Sequence, residues 1–348
     1  MALPNDIFAI EKRFQGDKPL LDWGIWGIVI VWACFQIWTA RMPLPAFYQR
    51  SVHLLFDYFL VFMTINYKGQ ERQGTFGWEG LILALLSTVC LVYAISTWST
   101  KAFIRGMELP MDEMVLGMIF IAVSIEVCRR AVGWTIPIIT VLLIIYGRFG
   151  ELLPEVLAHR NYSFERMVTS FYISLDGIMG YLAHVSTTFI FIFVLFGAFL
   201  RTSGAGEWFI KLSYALFGHV RGGPAKIAVV ASTMFGMVSG SAVANVAGTG
   251  QFTIPLMKRY GYPGHFAGGV EATASAGGQI MPPIMGGAAF IICEVLGISY
   301  IEVMKSIVII ASLYYLSLFI MIDIEAQKMG LKGIPREELP SIWETLKE

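Results

Sequence analysis

Charge is scarce in this chain. Only 14% of its 348 residues are charged, the 25 basic side chains cancel the 25 acidic ones, and no long basic run occurs. That balance argues against a nucleic-acid partner. Cysteine is as sparse: Cys34, Cys90, Cys128 and Cys293 stand singly in apolar stretches, with no CxxC pair and no zinc-site spacing. They read as small buried hydrophobes. There is no GxxxxGK[ST] loop, so the chain itself has no P-loop for ATP hydrolysis, and no cofactor is expected. The opening MALPNDIFAIEKRFQGDKPLLDW lacks the short apolar core and small-residue cleavage site of a secretory signal, so the first span is expected to be retained.

What the chain has is apolar length. Hydrophobic residues make up 56% of it and the mean hydropathy is +0.66, well outside the range of a soluble domain. Stretches near 22–40, 78–98, 112–128, 132–147, 182–200 and 304–323 approach the roughly 20 residues needed to cross about 30 Å of hydrocarbon. A weaker one, 51–66, is interrupted by His53 and Asp57. The chain is thus expected to be an all-α polytopic membrane protein. Most of the 25 Lys and Arg fall on one side when the spans alternate, which puts the N-terminus and C-terminus in the cytoplasm.

That alternation requires one segment to enter and leave on the same side. Arg221 and Lys226 mark the start of the run AKIAVVASTMFGMVSGSAVANVAGTGQFTIPLMKRYG, and Lys258 and Arg259 close it. From Ala225 to Val238 a helix would cover only roughly 21 Å, and the arm from Ala242 to Met257 is little longer. A re-entrant hairpin over about 225–257, with its tip at Ser239, Gly240 and Ser241, accounts for the length and the charge. Irregular backbone at membrane depth must be shielded by protein or line a polar cavity, because each unpaired amide in lipid costs several kcal/mol. The four-residue recurrence of Gly236, Gly240, Ala244 and Gly248 is equally what a tightly packed transmembrane helix pair requires.

A second irregular segment lies at 265–297, HFAGGVEATASAGGQIMPPIMGGAAFIICEVLG. As one straight helix it would be about 50 Å long. It is interrupted at Gly277, Gly278, Pro282 and Pro283, and the two prolines deprive the carbonyls of Gly278 and Gln279 of their helical partners. Paired helix interruptions rich in Ser, Thr, Asn, Gln and Gly are a feature of secondary transporters, where half-helix N-termini face anions and neutral oxygens hold a cation such as sodium. Ser239, Ser241, Asn245, Thr249, Thr273, Ser275 and Gln279 supply such oxygens and are the candidate substrate-binding set. Ser239, Gly240, Asn245, Gly277, Gly278 and Gln279 are the candidate sodium ligands. Any one hydroxyl can instead bond back to its own helix.

The segments GGPAKIAVVASTMFGMVSGSAVANVAGTGQFTIPLMKRYGY, 222–262, and EATASAGGQIMPPIMGGAAF, 271–290, resemble the permease of tripartite ATP-independent periplasmic (TRAP) transporters, especially the fused permeases of the TAXI branch. The resemblance is strong from about 165 onward and weak over 1–130. It implies a four-helix small-subunit-like scaffold over 1–131, followed over 132–348 by one inverted-repeat half of an elevator transporter with a re-entrant hairpin and a broken helix. It places Ser239, Gly240, Ser241 and Asn245 on the hairpin, and Thr273, Ser275, Gly277 and Gly278 on the broken helix. It further implies sodium-coupled import of a small carboxylate across a bacterial or archaeal inner membrane and delivery by a periplasmic binding protein; members of this fused type continue into the other inverted repeat, which here is expected from a second membrane chain unless the sequence is a fragment. The polar stretch 324–348 is then a cytoplasmic segment. Such a protein is not an enzyme.

Other residues have simpler expectations. Glu126 and Arg130, four residues apart, read as a structural ion pair. Asp57 and Glu271 are the acids placed within the membrane zone, Glu271 either in ion or proton coupling or at a cytoplasmic mouth near Lys258 and Arg259. Trp23, Trp26, Trp32 and Trp38 belong in part to an interfacial belt, and 163–180 reads as a helix along the outer surface. Competing functions are a non-transporting scaffold or channel subunit, or an intramembrane hydrolase using Ser239 or Ser241. The available His184, His219 and His265 fall near span ends, away from the tip.

Overall fold

Apolar periodicity and Gly/Pro punctuation yield a helical chain. The computed structural model describes residues 19–72, 77–101, 110–154 and 156–347. Residues 1–18, which include Lys12, Arg13 and Lys18 of the charge count, lie outside the described residues, as does Arg105. Among the described residues there is no β-strand, only an isolated antiparallel bridge between Ile65 and Glu71. The chain divides into two compact units, 1–188 and 189–348.

The first unit contains α1 (Pro19–Arg41), α2 (Ala46–Thr64), α3 (Trp78–Lys101), α4 (Met111–Val132), α5 (Thr135–Phe149), α6 (Phe164–Tyr172) and the short α7 (Tyr181–Val185). Phe47, Phe62, Leu91 and Phe120 form its buried centre between α2, α3 and α4. Gly117 lets α6 approach α4, and the Tyr172 hydroxyl donates to the Cys90 carbonyl at 2.6 Å. Arg130 is buried and bonds Glu126 at 2.8 Å, as its spacing predicts. Glu126 also holds Arg129, at 2.6 Å, and the two guanidiniums reach the carbonyls of Ile65 and Tyr67.

Among the described residues, five helical segments are long and apolar enough to cross a membrane: Trp23–Arg41, Trp78–Trp98, Thr135–Leu152, Tyr181–Leu200 and Tyr300–Lys328. The expected spans 51–66 and 112–128 form helices α2 and α4, but neither is among these five. Arg50, His53 and Asp57 dilute the first, and Asp112, Glu113, Glu126, Arg129 and Arg130 load the ends of the second. The stretch 163–180 is helical only to Tyr172. Ser163 caps its start by accepting from the Arg166 amide, and turns follow through Asp176 and Gly177. Of the four cysteines only Cys90 is buried; Cys128 and Cys293 are half-buried and Cys34 is exposed on α1. A thiol is apolar enough to face hydrocarbon, so protein burial is not required of it.

The second unit runs through α8 (Phe191–Thr202), α9 (Ala205–Phe217), α10 (Gly223–Ser239), α11 (Ala242–Arg259), α12 (Gly264–Gly278), α13 (Gly287–Leu296), α14 (Tyr300–Lys328) and α15 (Ile342–Thr345). Helix α10 is buried on nearly every side over Gly223–Thr233, as an interior helix must be when apolar all round. It ends at Gly240, whose φ of +62° is a left-handed cap that side-chain-bearing residues adopt at a cost. Ser241 then caps α11 by accepting from the Ala244 amide at 3.3 Å. The start of α10 and the end of α11 meet, since a Cβ at Gly222 would lie 3.0 Å from the Tyr262 hydroxyl oxygen. The segment is therefore a hairpin that returns to where it began. At that end Asp323 of α14 holds Arg221 and, at 2.8 Å, Lys226. Its hydrogen bond raises the Arg221 guanidinium above the ordinary arginine value.

Candidate functional site

The second helix break falls where the glycines and prolines put it. Helix α12 stops at Gly278, the chain turns through Pro282 and Pro283, and α13 starts at Gly287. The carbonyls that the prolines cannot serve find partners within the turn: Gln279 accepts from the Gly286 amide at 2.6 Å and Gly278 from the Met281 amide at 3.3 Å. Hairpin tip and helix break are neighbours. A Cβ at Gly286 would lie 3.3 Å from the Gly240 carbonyl oxygen, and one at Gly278 would lie 2.7 Å from the Gly236 Cα. Two helix C-termini, at Ser239 and Gly278, and two N-termini, at Ala242 and Gly287, are thus gathered by these contacts. A cavity of about 80 Å³ borders the tip, lined by Val194, Gly197, Phe209, Phe235, Val238 and Ser239 among others.

The candidate side chains separate into groups. At the tip, the Ser239 hydroxyl lies 3.4 Å from the Ser241 carbonyl, and the Ser241 hydroxyl serves as the helix cap. Thr273 bonds back to the Gly269 carbonyl at 2.8 Å, while its own carbonyl accepts from Tyr314 at 2.8 Å. Gly277, Gly278 and Gln279 form the edge of the break. Asn245, Thr249 and Ser275 come together elsewhere, in a buried cage below the tip.

That cage is centred on Glu271, which has no solvent exposure. Its Oε1 accepts from Thr249 at 2.5 Å, Ser232 at 3.0 Å and Ser275 at 3.3 Å, and its Oε2 accepts from Thr253 at 2.6 Å. Asn245 donates from Nδ2 to the carbonyl of Ser232 at 2.7 Å and to its hydroxyl at 3.1 Å. Ser232 and Ser275 hydroxyls are 2.9 Å apart. Glu271 is therefore satisfied inside the protein by hydroxyls of α10, α11 and α12, and among the described residues neither Lys258 nor Arg259 bonds to it. Helix geometry sets this up. Asn245, Thr249 and Thr253 recur every four residues on α11, and Glu271 and Ser275 do so on α12, so each set lies on one face. Ser232 and Thr253 were not among the expected site residues. Thr253 continues the four-residue polar recurrence of Asn245 and Thr249 along α11, whereas Ser232, with Ala228 and Gly236 four residues to either side, carries no such signal.

Residues 118–348 match the family model described as tripartite ATP-independent periplasmic transporter, DctM component. The C4-dicarboxylate TRAP transporter large permease protein DctM of Pseudomonas aeruginosa is 42% identical over 91 residues, 26% of this chain and 21% of that protein. The sialic acid TRAP transporter permease protein SiaT of Haemophilus influenzae is 30% identical over 154 residues, 44% of this chain and 22% of that protein. The sialic acid TRAP transporter large permease protein SiaM of Vibrio cholerae is 35% identical over 91 residues, 26% of this chain and 21% of that protein. The chain thus spans about a fifth of the length of these curated relatives. Among the described residues, five apolar helical segments of crossing length accompany the match, as a multi-pass membrane protein requires. With its match running over well more than half of its length, the chain belongs to the DctM component family of tripartite ATP-independent periplasmic transporters.

Proposed function

We propose that this chain is a permease component of a secondary transporter that imports a small organic anion, a carboxylate, together with sodium. The observation that carries this reading is the meeting of the two helix breaks, Gly240 against Gly286. Helix N-termini carry partial positive charge and C-termini partial negative charge, so a junction of both suits an anion and a cation together. The N-termini at Ala242 and Gly287 face the carboxylate. Sodium, as co-transported cargo, is held by the hydroxyl of Ser239 and the backbone or amide oxygens at Gly240, Gly277, Gly278 and Gln279. Neutral oxygens fit a monovalent ion that must be released again. Asn245, turned inward onto Ser232, keeps the hairpin arms together.

In this reading residues 1–131 are a fused small-subunit-like scaffold and 132–348 the first inverted repeat, as in the TAXI branch. Elevator motion of the hairpin and broken helix carries the cargo across the inner membrane, and the other inverted repeat supplies the opposing half of the site. A periplasmic binding protein delivers the substrate. The dicarboxylate and sialic acid named for the relatives are both carboxylates, which supports that substrate class. The test is uptake into proteoliposomes holding the complete assembly and its binding protein, with and without an inward sodium gradient. Uptake that needs the gradient supports the reading; uptake unchanged without sodium rejects the coupling. Conductance without saturable exchange would make the chain a channel component instead.

A further inference from the structure

We propose that Glu271 is a reversible proton-binding site built into the contact between the hairpin and the broken helix. A buried carboxylate needs a counter-charge, a set of donors, or a proton. Here the donors are four hydroxyls from three helices: Ser232 of α10, Thr249 and Thr253 of α11, and Ser275 of α12.

These donors accommodate either protonation state without moving a heavy atom. Thr253 Oγ1 lies 2.6 Å from Glu271 Oε2 and 3.0 Å from the Thr249 carbonyl. With Glu271 ionised, the Thr253 proton points to Oε2. With Glu271 protonated, its O–H donates to Thr253 Oγ1, and the Thr253 hydroxyl turns to donate to the Thr249 carbonyl. Thr249 has the same choice, between Oε1 at 2.5 Å and the Asn245 carbonyl at 2.9 Å. One proton is taken from water or returned to it, and hydroxyl rotation does the rest. A hydroxyl is both donor and acceptor, which an arginine or a backbone amide is not.

A metal ion fits this cage poorly. Oxygen ligands hold a calcium-sized cation at about 2.3–2.6 Å each, whereas the Thr249 and Thr253 hydroxyls stand 2.5 and 2.6 Å from the carboxylate itself and those of Ser232 and Ser275 stand 3.0 and 3.3 Å from it. They touch as hydrogen-bond partners, with no room for an ion between them.

The charged and titratable groups on the packed helices are engaged elsewhere or stand apart. Lys226 of α10 bonds Asp323 of α14. Tyr314 and Tyr315 of α14 donate to the carbonyls of Thr273 and Ala274. Lys258 and Arg259 close α11 beyond Thr253, and His265 opens α12, more than a turn before Glu271. Glu302, Lys305, Glu325 and Lys328 lie towards the two ends of α14. None of these bonds the carboxylate among the described residues.

The site stands on the cage alone, and only its use in coupling rests on the transport reading. Its test is an infrared pH titration of the full chain in lipid nanodiscs, which needs no uptake. A protonated-carboxyl stretching band should titrate in the wild type, persist in Asp57→Asn and vanish in Glu271→Gln. In Thr253→Val the ionised form loses a charge-assisted hydrogen bond and the protonated form only a weaker neutral one, so the same band should develop at higher pH than in the wild type. A band set unchanged by Glu271→Gln overturns the proposal. Where Glu271→Gln does not assemble, Thr253→Val decides, and an unmoved titration overturns it. Loss of sodium-driven uptake with this titration intact would reject the function proposed above and leave the proton site standing.

Discussion

Gly278 and Gly236 pack backbone against backbone: a Cβ on Gly278 would sit 2.7 Å from the Gly236 Cα, and one on Gly236 would sit 3.0 Å from the Gly278 Cα. The close approach is what brings Ser232 of α10 within reach of Glu271 of α12. Small residues at such a crossing allow helices in a membrane to associate through backbone contact. Gly278→Ala must therefore push α10 and α12 apart, with an overpacking cost of about 1–3 kcal/mol. Thermal unfolding in detergent should show a lower midpoint than wild type; an unchanged midpoint would mean that the helices are not held this closely.

Asn245 ties the arms of the hairpin through two hydrogen bonds to Ser232. Asn245→Leu removes both and places an apolar chain against buried hydroxyls, a loss of about 1–3 kcal/mol. In reconstituted vesicles, uptake should be abolished while the assembly still elutes intact from size-exclusion chromatography. Full uptake would remove Asn245 from the transport machinery.

Arg130 is nearly fully buried and depends on Glu126, together with the Ile65 carbonyl. Removing a carboxylate from a buried partner costs more than an exposed pair is worth, up to about 3–5 kcal/mol when burial is complete. Glu126 is itself partly exposed, so Glu126→Ala should cost about 1–3 kcal/mol. Urea titration followed by tryptophan fluorescence measures this, and a midpoint equal to wild type would show the pair to be ornamental.

The two ends of the hairpin meet at Gly222 and Tyr262, so both should be reached from one side of the membrane. In a background with the four native cysteines replaced by serine, His219→Cys and Lys258→Cys should react with an impermeant maleimide in inverted vesicles and resist it in right-side-out ones. Labelling from opposite sides would turn the hairpin into a crossing pair.

Much of this architecture was legible before any coordinates. Gly240 at the tip and the Gly277–Pro283 interruption are local backbone properties: glycine relieves a left-handed turn and proline withdraws an amide wherever the rest of the chain lies. The i, i+4 pair of Glu126 and Arg130 is likewise written in one helix. The extent of 163–180 was less readable, because its helical spacing continues past Tyr172 while Ser174, Asp176 and Gly177 favour turns.

What the sequence by itself determined, then, was where helices had to stop and which segments were too apolar for water. Only the tertiary structure decided that Ser232, Thr253 and Glu271 share a cage, and that the hairpin tip at Gly240 meets the break at Gly286. The reason is range. A break is a property of a few consecutive residues, but a buried carboxylate is satisfied by whichever hydroxyls three separate helices bring to it, and that depends on how Gly236 and Gly278 let them pack.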